Sequence, residues 1–203
     1  MNECPQCFKK TTLCVCEHIT PQTTQLHVLI LQHPQEPDHD LGSAQLTHLA
    51  LPNSTLKIGL SWRSLSAVLN QKDMVAARWA VLYLGSGVKG DAKSDKTLQF
   101  VSQKGNPVDT PEELDGIVVL DGTWSQAKAL WWRNPWLLKL KRAILMPQQK
   151  SLYKELRKEP RKECLSTIEA IAEMLTELGE EPCVGEHLQN LFATLLNRRR
   201  KQT

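Results

Sequence analysis

GIVVLDGTWSQAKALWW, residues 116–132, decides how the fold is read. An apolar run from Gly116 to Leu120 stops at Asp121, and Thr123 then stands where a helix N-cap belongs. Gln126 follows three residues later, completing a Thr-x-x-Gln capping box. The segment predicts a buried strand, an Asp121-Gly122 turn and a helix over 125–132. Its apolar residues are continuous, as in a parallel strand covered on both faces. In an open α/β sheet such a corner lies at the edge where ligands bind, and a helix amino terminus there suits a polar or anionic group. A carboxylate directly after a buried strand needs partners, because an unpaired charge there is costly. Asp121 is therefore the first candidate for chemistry, and Trp124 is either a pocket wall or plain core.

Outward from this corner the same apolar signature recurs at 26–31 (LHVLIL), 79–84 (WAVLYL) and 143–146 (AILM). Helical patterns occupy 43–50 and 64–70. Ile168, Ile171, Ala172 and Leu175 show i, i+3, i+4, i+7 spacing, as do Leu188, Leu191, Phe192 and Leu195. Gly-Glu-Glu-Pro at 179–182 separates these two helices. Strands alternating with helices predict an α/β domain with a mainly parallel sheet and helices on both faces. Residues 85–111 are polar and read as a long excursion with a small hairpin around LQFVSQ (98–103). The closing NRRRKQT reads as a frayed basic tail.

Composition narrows the class. The chain has 203 residues, 41% of them hydrophobic, which suffices for one core. A net charge of +3 is too mild to mark a nucleic-acid binder by itself. No apolar run approaches the roughly 20 residues of a membrane span, and MNECPQCFKK lacks a signal peptide's apolar core. The expected location is the cytoplasm, with no membrane association and no obligate protein partner, and there cysteines are rarely disulfides.

Cys4, Cys7, Cys14 and Cys16 crowd the first sixteen residues. Four thiolates suit a closed tetrahedral zinc site, structural because all ligands are protein-derived. Residues 1–22 are therefore expected to form a zinc-binding appendage to a catalytic domain at 23–203. The competing reading is four reduced thiols, and His18 ranks below the cysteines as a ligand. A second capping box, Ser166 with Glu169, precedes the first carboxyl-terminal helix. Basic residues dominate 139–162, including Lys139, Lys141, Arg142, Lys158, Arg161 and Lys162, a pattern that tracks phosphates or forms a solvated face. Trp131, Trp132 and Trp136, with Lys128 just before them and Arg133 among them, offer stacking surface for an unpaired base. Adjacent tryptophans on a helix cannot face the same way, so at least one belongs to the core.

Asp-Gly-Thr-Trp after an apolar strand, Cys-x2-Cys with Cys-x-Cys, QHPQE (32–36) and LSTIEA (165–170) together resemble the DTW-domain family. The resemblance implies a SPOUT-like fold with a carboxyl-terminal trefoil knot. It also implies a tRNA-uridine aminocarboxypropyltransferase that uses S-adenosylmethionine. Loops with Leu84, Gly85, Ser86 and Gly87, with Leu120, Gly122, Thr123 and Trp124, and with Leu165, Ser166 and Thr167 would wrap the cofactor. Glu169 would either bond the cofactor or only cap its helix. Asp121 would accept the uridine N3 proton or fix the methionyl amine. His33 and Glu36 would line the RNA side with Lys128, Arg133, Lys158, Arg161 and Lys162. Where many relatives carry Asn-Thr, this chain has DLGSAQL, which leaves the role of Ser43 open. The rivals are an RNA methyltransferase on the same scaffold and a non-catalytic zinc-containing RNA-binding module.

Overall fold

The computed structural model describes residues 3–37, 39–82, 97–146, 151–152 and 165–202. Seven strands form one sheet: β1 (His27–Gln32), β2 (Ser54–Ile58), β3 (Trp79–Leu82), β4 (Leu98–Val101), β5 (Pro107–Val108), β6 (Gly116–Asp121) and β7 (Lys141–Leu145). Their order is β2-β1-β6-β3-β7-β4-β5. The stretch from β2 through β7 is parallel. β4 joins β7 antiparallel and turns back into β5, the expected hairpin. The helices are α1 (Ala44–Ala50), α2 (Leu65–Leu69), α3 (Trp124–Arg133), α4 (Thr167–Glu177) and α5 (Pro182–Arg200).

Continuous apolar strands arise here because both faces are covered. Val28 and Ile30 of β1, with Ile117 and Val119 of β6, pack under α1, α4 and α5. Leu29 and Leu31, with Val118 and Leu120, pack against α2 and α3. Alternate residues thus serve opposite cores, at about 1.5–3 kcal/mol for each large side chain fully buried. Gly185 lets α5 meet α4, since a Cβ there would stand 2.5 Å from the Thr176 hydroxyl.

The cysteine segment shares the main core. Leu13 and Val15 are fully buried among the residues of α4 and α5. Glu180, in the link between those helices, is buried and accepts the backbone N–H groups of Leu26 at 2.7 Å and Gln25 at 3.2 Å. It thereby fixes the entry to β1. Glu180→Ala strands the Leu26 donor and is expected to cost about 2–3 kcal/mol, read from urea or thermal unfolding.

Three local expectations are corrected. β2 was not expected, because STLKI is an edge strand bordered on one side only and lacks a long apolar run. Asp121 closes β6 instead of opening the turn, held by its pairing with Gln32. The basic tail is not frayed: α5 runs to Arg200, Arg198 bonds Glu17, and Arg199 lies 3.9 Å from Asp40. The strand expected over 79–84 is described to Leu82. Among the described residues, no helix is long and apolar enough to cross a membrane.

Candidate functional site

β1 and β6 end side by side, each apolar run closing on a polar residue, with Gln32 paired to Asp121. Both are buried, at 4% and 7% exposure. Gln32 Nε2 donates to Asp121 Oδ2 at 2.8 Å, and the Thr167 hydroxyl donates to Oδ1. The His33 N–H donates to the Asp121 carbonyl at 2.9 Å. The partners that a buried carboxylate demands are thus supplied from β1 and from the first residue of α4. A carboxylate accepts through about four lone-pair positions, so these two donors orient Asp121 without exhausting it.

A cleft opens beside this carboxylate. Asp121 and Gly122 contribute from the β6 corner, and Leu165, Ser166 and Thr167 from the start of α4. Glu36, His39, Leu41, Gly42 and Ser43 contribute from the loop after β1. The start of α4 therefore lines the cleft directly and α3 begins just beyond Gly122, each helix closed by the expected capping box. Thr123 exchanges bonds with Gln126 at 2.6 and 3.4 Å, and Ser166 with Glu169 at 2.9 and 3.4 Å. Gly122 has φ +155°, and a Cβ there would lie 2.9 Å from Gln126 Cβ and 3.3 Å from His33 Cβ. The corner has room only for glycine.

The remaining expected residues divide. Leu120 is buried in the core, and Trp124 and Thr123 are half-buried at the head of α3. Glu169 is buried, and its oxygens also accept the Ser151 hydroxyl and the Leu152 N–H, both at 2.8 Å. Glu36 is buried in the cleft wall, and His33 is half-buried beside it. Lys128 and Arg133 are exposed on α3. Leu84, Gly85, Ser86, Gly87, Lys158, Arg161 and Lys162 lie outside the described residues. Trp131 and Trp136 are core, at 8% and 7% exposure, whereas Trp132 is 77% exposed. Arg142 of the basic stripe sits 5.5 Å over the Trp131 ring.

Sequence reading missed Gln32, His39, Leu41 and Lys9, and singled out Gly42 only with Ser43, at the place of the family's Asn-Thr pair. A polar residue closing β1 as Asp121 closes β6 was a usable signal for Gln32. Ser43 resolves differently: its hydroxyl accepts the Ile168 N–H of α4 at 3.1 Å. It ties the cleft wall to that helix.

The four cysteine sulfurs lie within 4.8 Å of one another, a group of possible metal ligands. The Cys4–Cys16 separation is 3.7 Å and the Cys7–Cys14 separation 3.8 Å. A tetrahedron with zinc–sulfur bonds of about 2.3 Å has edges of about 3.8 Å, so the cage fits that ion. Backbone N–H groups of Cys7 and Gln6 pull the Cys4 thiol down to about 6, while burial pushes Cys7 and Cys16 up. His18 stands apart, its ring 3.7 Å from Glu17. Between the cage and the cleft lies Lys9, 7% exposed. Burial draws its ammonium below the usual lysine range, against the attraction of Cys7, Asp40 and Asp121.

Residues 1–200 match the DTW domain. A mouse protein named tRNA-uridine aminocarboxypropyltransferase 2 is 28% identical over 190 residues, covering 92% of this chain and 59% of the relative. The protein of the same name from Macaca fascicularis is 28% identical over 92% of this chain and 59% of its own length. A Drosophila melanogaster protein, also of that name, is 26% identical over 96% of this chain and 73% of its own. The chain thus spans about three-fifths of the two mammalian relatives. No solved structure matches it.

Proposed function

The chain belongs to the DTW domain family, and from that premise we propose that it transfers the 3-amino-3-carboxypropyl group of S-adenosylmethionine to a uridine N3 in the variable loop of tRNA. The observation that carries this reading is the buried, doubly held Asp121 carboxylate in a cleft lined by the start of α4 and by the turn that leads into α3. Carboxylates at Asp121 and Glu36 suit a ligand ammonium, and the head of α3, capped by the neutral Thr123 and Gln126, suits a ligand carboxylate, so an amino-acid group fits both. When bound, the cofactor supplies an electrophilic methionyl γ-carbon, which N3 attacks as methylthioadenosine leaves.

The chain's own residues orient and deprotonate. Transfer of this group, and not of methyl, depends on which carbon faces N3, so the amino-acid end must be held rigidly. Asp121 is fixed by Gln32 and Thr167 to accept the N3 proton or to anchor the amine. Pairing with the sulfonium would favour the ground state, because that charge vanishes as the bond breaks. Cys4, Cys7, Cys14 and Cys16 would hold a zinc ion, which with four protein ligands would serve the fold and not the reaction. The resemblance to the family extends the reading to a SPOUT-like fold with a carboxyl-terminal trefoil knot.

Lys128 and Trp132 lie one turn apart on α3 and form the RNA side with Arg133. The helix climbs about 12 Å from Trp124 to Trp132, at about 1.5 Å per residue, which separates a stacking platform from the reacting base. Trp132→Ala is expected to weaken tRNA binding by about 1–3 kcal/mol while cofactor binding and stability hold. Unchanged tRNA affinity would remove Trp132 from the interface. The test of the function is to incubate the protein with tRNA and the cofactor and identify the small product. Methylthioadenosine supports the proposal, and S-adenosylhomocysteine or no turnover refutes it.

A further inference from the structure

A route of direct bonds joins the cysteine cage to the reacting carboxylate. In the cage, the Cys4 N–H donates to the Lys9 carbonyl at 2.8 Å and the Phe8 N–H to the Cys4 carbonyl at 2.9 Å. Lys9 then turns its side chain inward, and Nζ donates to the carbonyls of Asp40 at 3.0 Å and His39 at 3.4 Å. The His39 carbonyl also accepts the Gly42 N–H at 2.9 Å, closing a tight loop. Next along the chain, Ser43 caps Ile168 at 3.1 Å, and the neighbouring Thr167 donates to Asp121. A parallel tether runs from Gln45 of α1 to the Gln6 carbonyl at 3.0 Å.

Burying a lysine is costly, and a lysine needed only to solubilise the surface would point outward. Here two of its three donors satisfy consecutive backbone carbonyls of a loop that has little regular structure of its own. Removing the ammonium leaves the two carbonyls without that donor and frees the wall at Gly42 and Ser43. A metal-filled cage fixes the Cys4–Lys10 turn from which Lys9 projects.

We propose that Lys9 is a positioning residue through which the ordered cysteine cage sets the cleft wall at residues 39–43 and, by way of Ser43 and α4, the placement of Asp121. The inference takes the cleft to be the reacting one, as read above. It makes the metal site a support of the cleft as well as of the fold.

The test is amide hydrogen exchange on the full chain, resolved at Gly42 and Ile168, for wild type and Lys9→Met, each zinc-loaded or treated with chelator. The methionine keeps the apolar stem and removes the donors. Zinc-loaded K9M is expected to retain stoichiometric zinc and to exchange at least tenfold faster at both amides, while the β6 amides stay protected. Chelated wild type is expected to show the same excess rise at these two amides over the β6 amides, whose own change reports the global loss of stability, and chelation of K9M to add less than twofold to that excess, because the link is already cut. Wild-type rates in zinc-loaded K9M, or additive effects of variant and chelator, overturn the proposal. Should K9M fail to fold, unchanged exchange at Gly42 and Ile168 in chelated wild type overturns it. None of these readouts needs tRNA or cofactor. A protein that shows the coupling but forms no methylthioadenosine refutes the proposed reaction and leaves the coupling standing.

Discussion

Asp121→Asn is expected to lower turnover by about 10²–10⁴-fold, the range a positioned acid–base group contributes, with little change in unfolding free energy. The geometry makes this substitution clean. Asparagine keeps the shape, its Oδ1 still accepts from Thr167, and Gln32 accommodates the new amide by presenting its own oxygen. What is lost is the negative charge and the capacity to take a proton. Two outcomes assign the role. Lost turnover with unchanged cofactor affinity identifies a base for N3, whereas a parallel loss of affinity identifies an anchor for the methionyl amine. Near-normal turnover would remove Asp121 from the chemistry altogether.

The second large effect is on stability. Removing the metal from the cage is expected to destabilise the whole chain, because Leu13 and Val15 belong to the same core as α4 and α5. Uncovering those two side chains costs about 3–6 kcal/mol, at about 1.5–3 kcal/mol each. For a chain of this size that corresponds to a fall in Tm of roughly 6–24 °C, measurable by calorimetry with and without chelator. Acid acts in the same direction, since the metal requires thiolates and lower pH returns protons to them. An unchanged Tm after verified metal loss would show that the segment folds on its own contacts.

Much of the frame was legible in the sequence because it is local. Apolar runs without alternation identified strands covered on both faces, and Thr123 with Gln126 and Ser166 with Glu169 marked two helix starts. The cysteine spacing pointed to a cage that the sulfur separations match. Roles that the fold alone defines were not legible, even where a residue such as Gln32 stood out as the polar end of an apolar run. The part Gln32 plays is defined by strand register, and that of Ser43 by a bond to Ile168, 125 positions away. Lys9 carried no signal at all, because among surface-type residues in a cysteine loop nothing local distinguishes the one that turns inward. β2 was invisible because an edge strand needs a partner on one side only.

On the proposed function, the Asp121 cleft directs the amino-acid arm of the cofactor, and not its methyl group, to uridine. Incubation of the protein and tRNA with S-adenosylmethionine labelled separately in the methionyl carboxyl carbon and in the methyl carbon tests this directly, by mass spectrometry of the released nucleosides. Carboxyl label is expected on a uridine of the variable loop, and methyl label only in the small product. Methyl label on the RNA, or no label on it from either form, would contradict it.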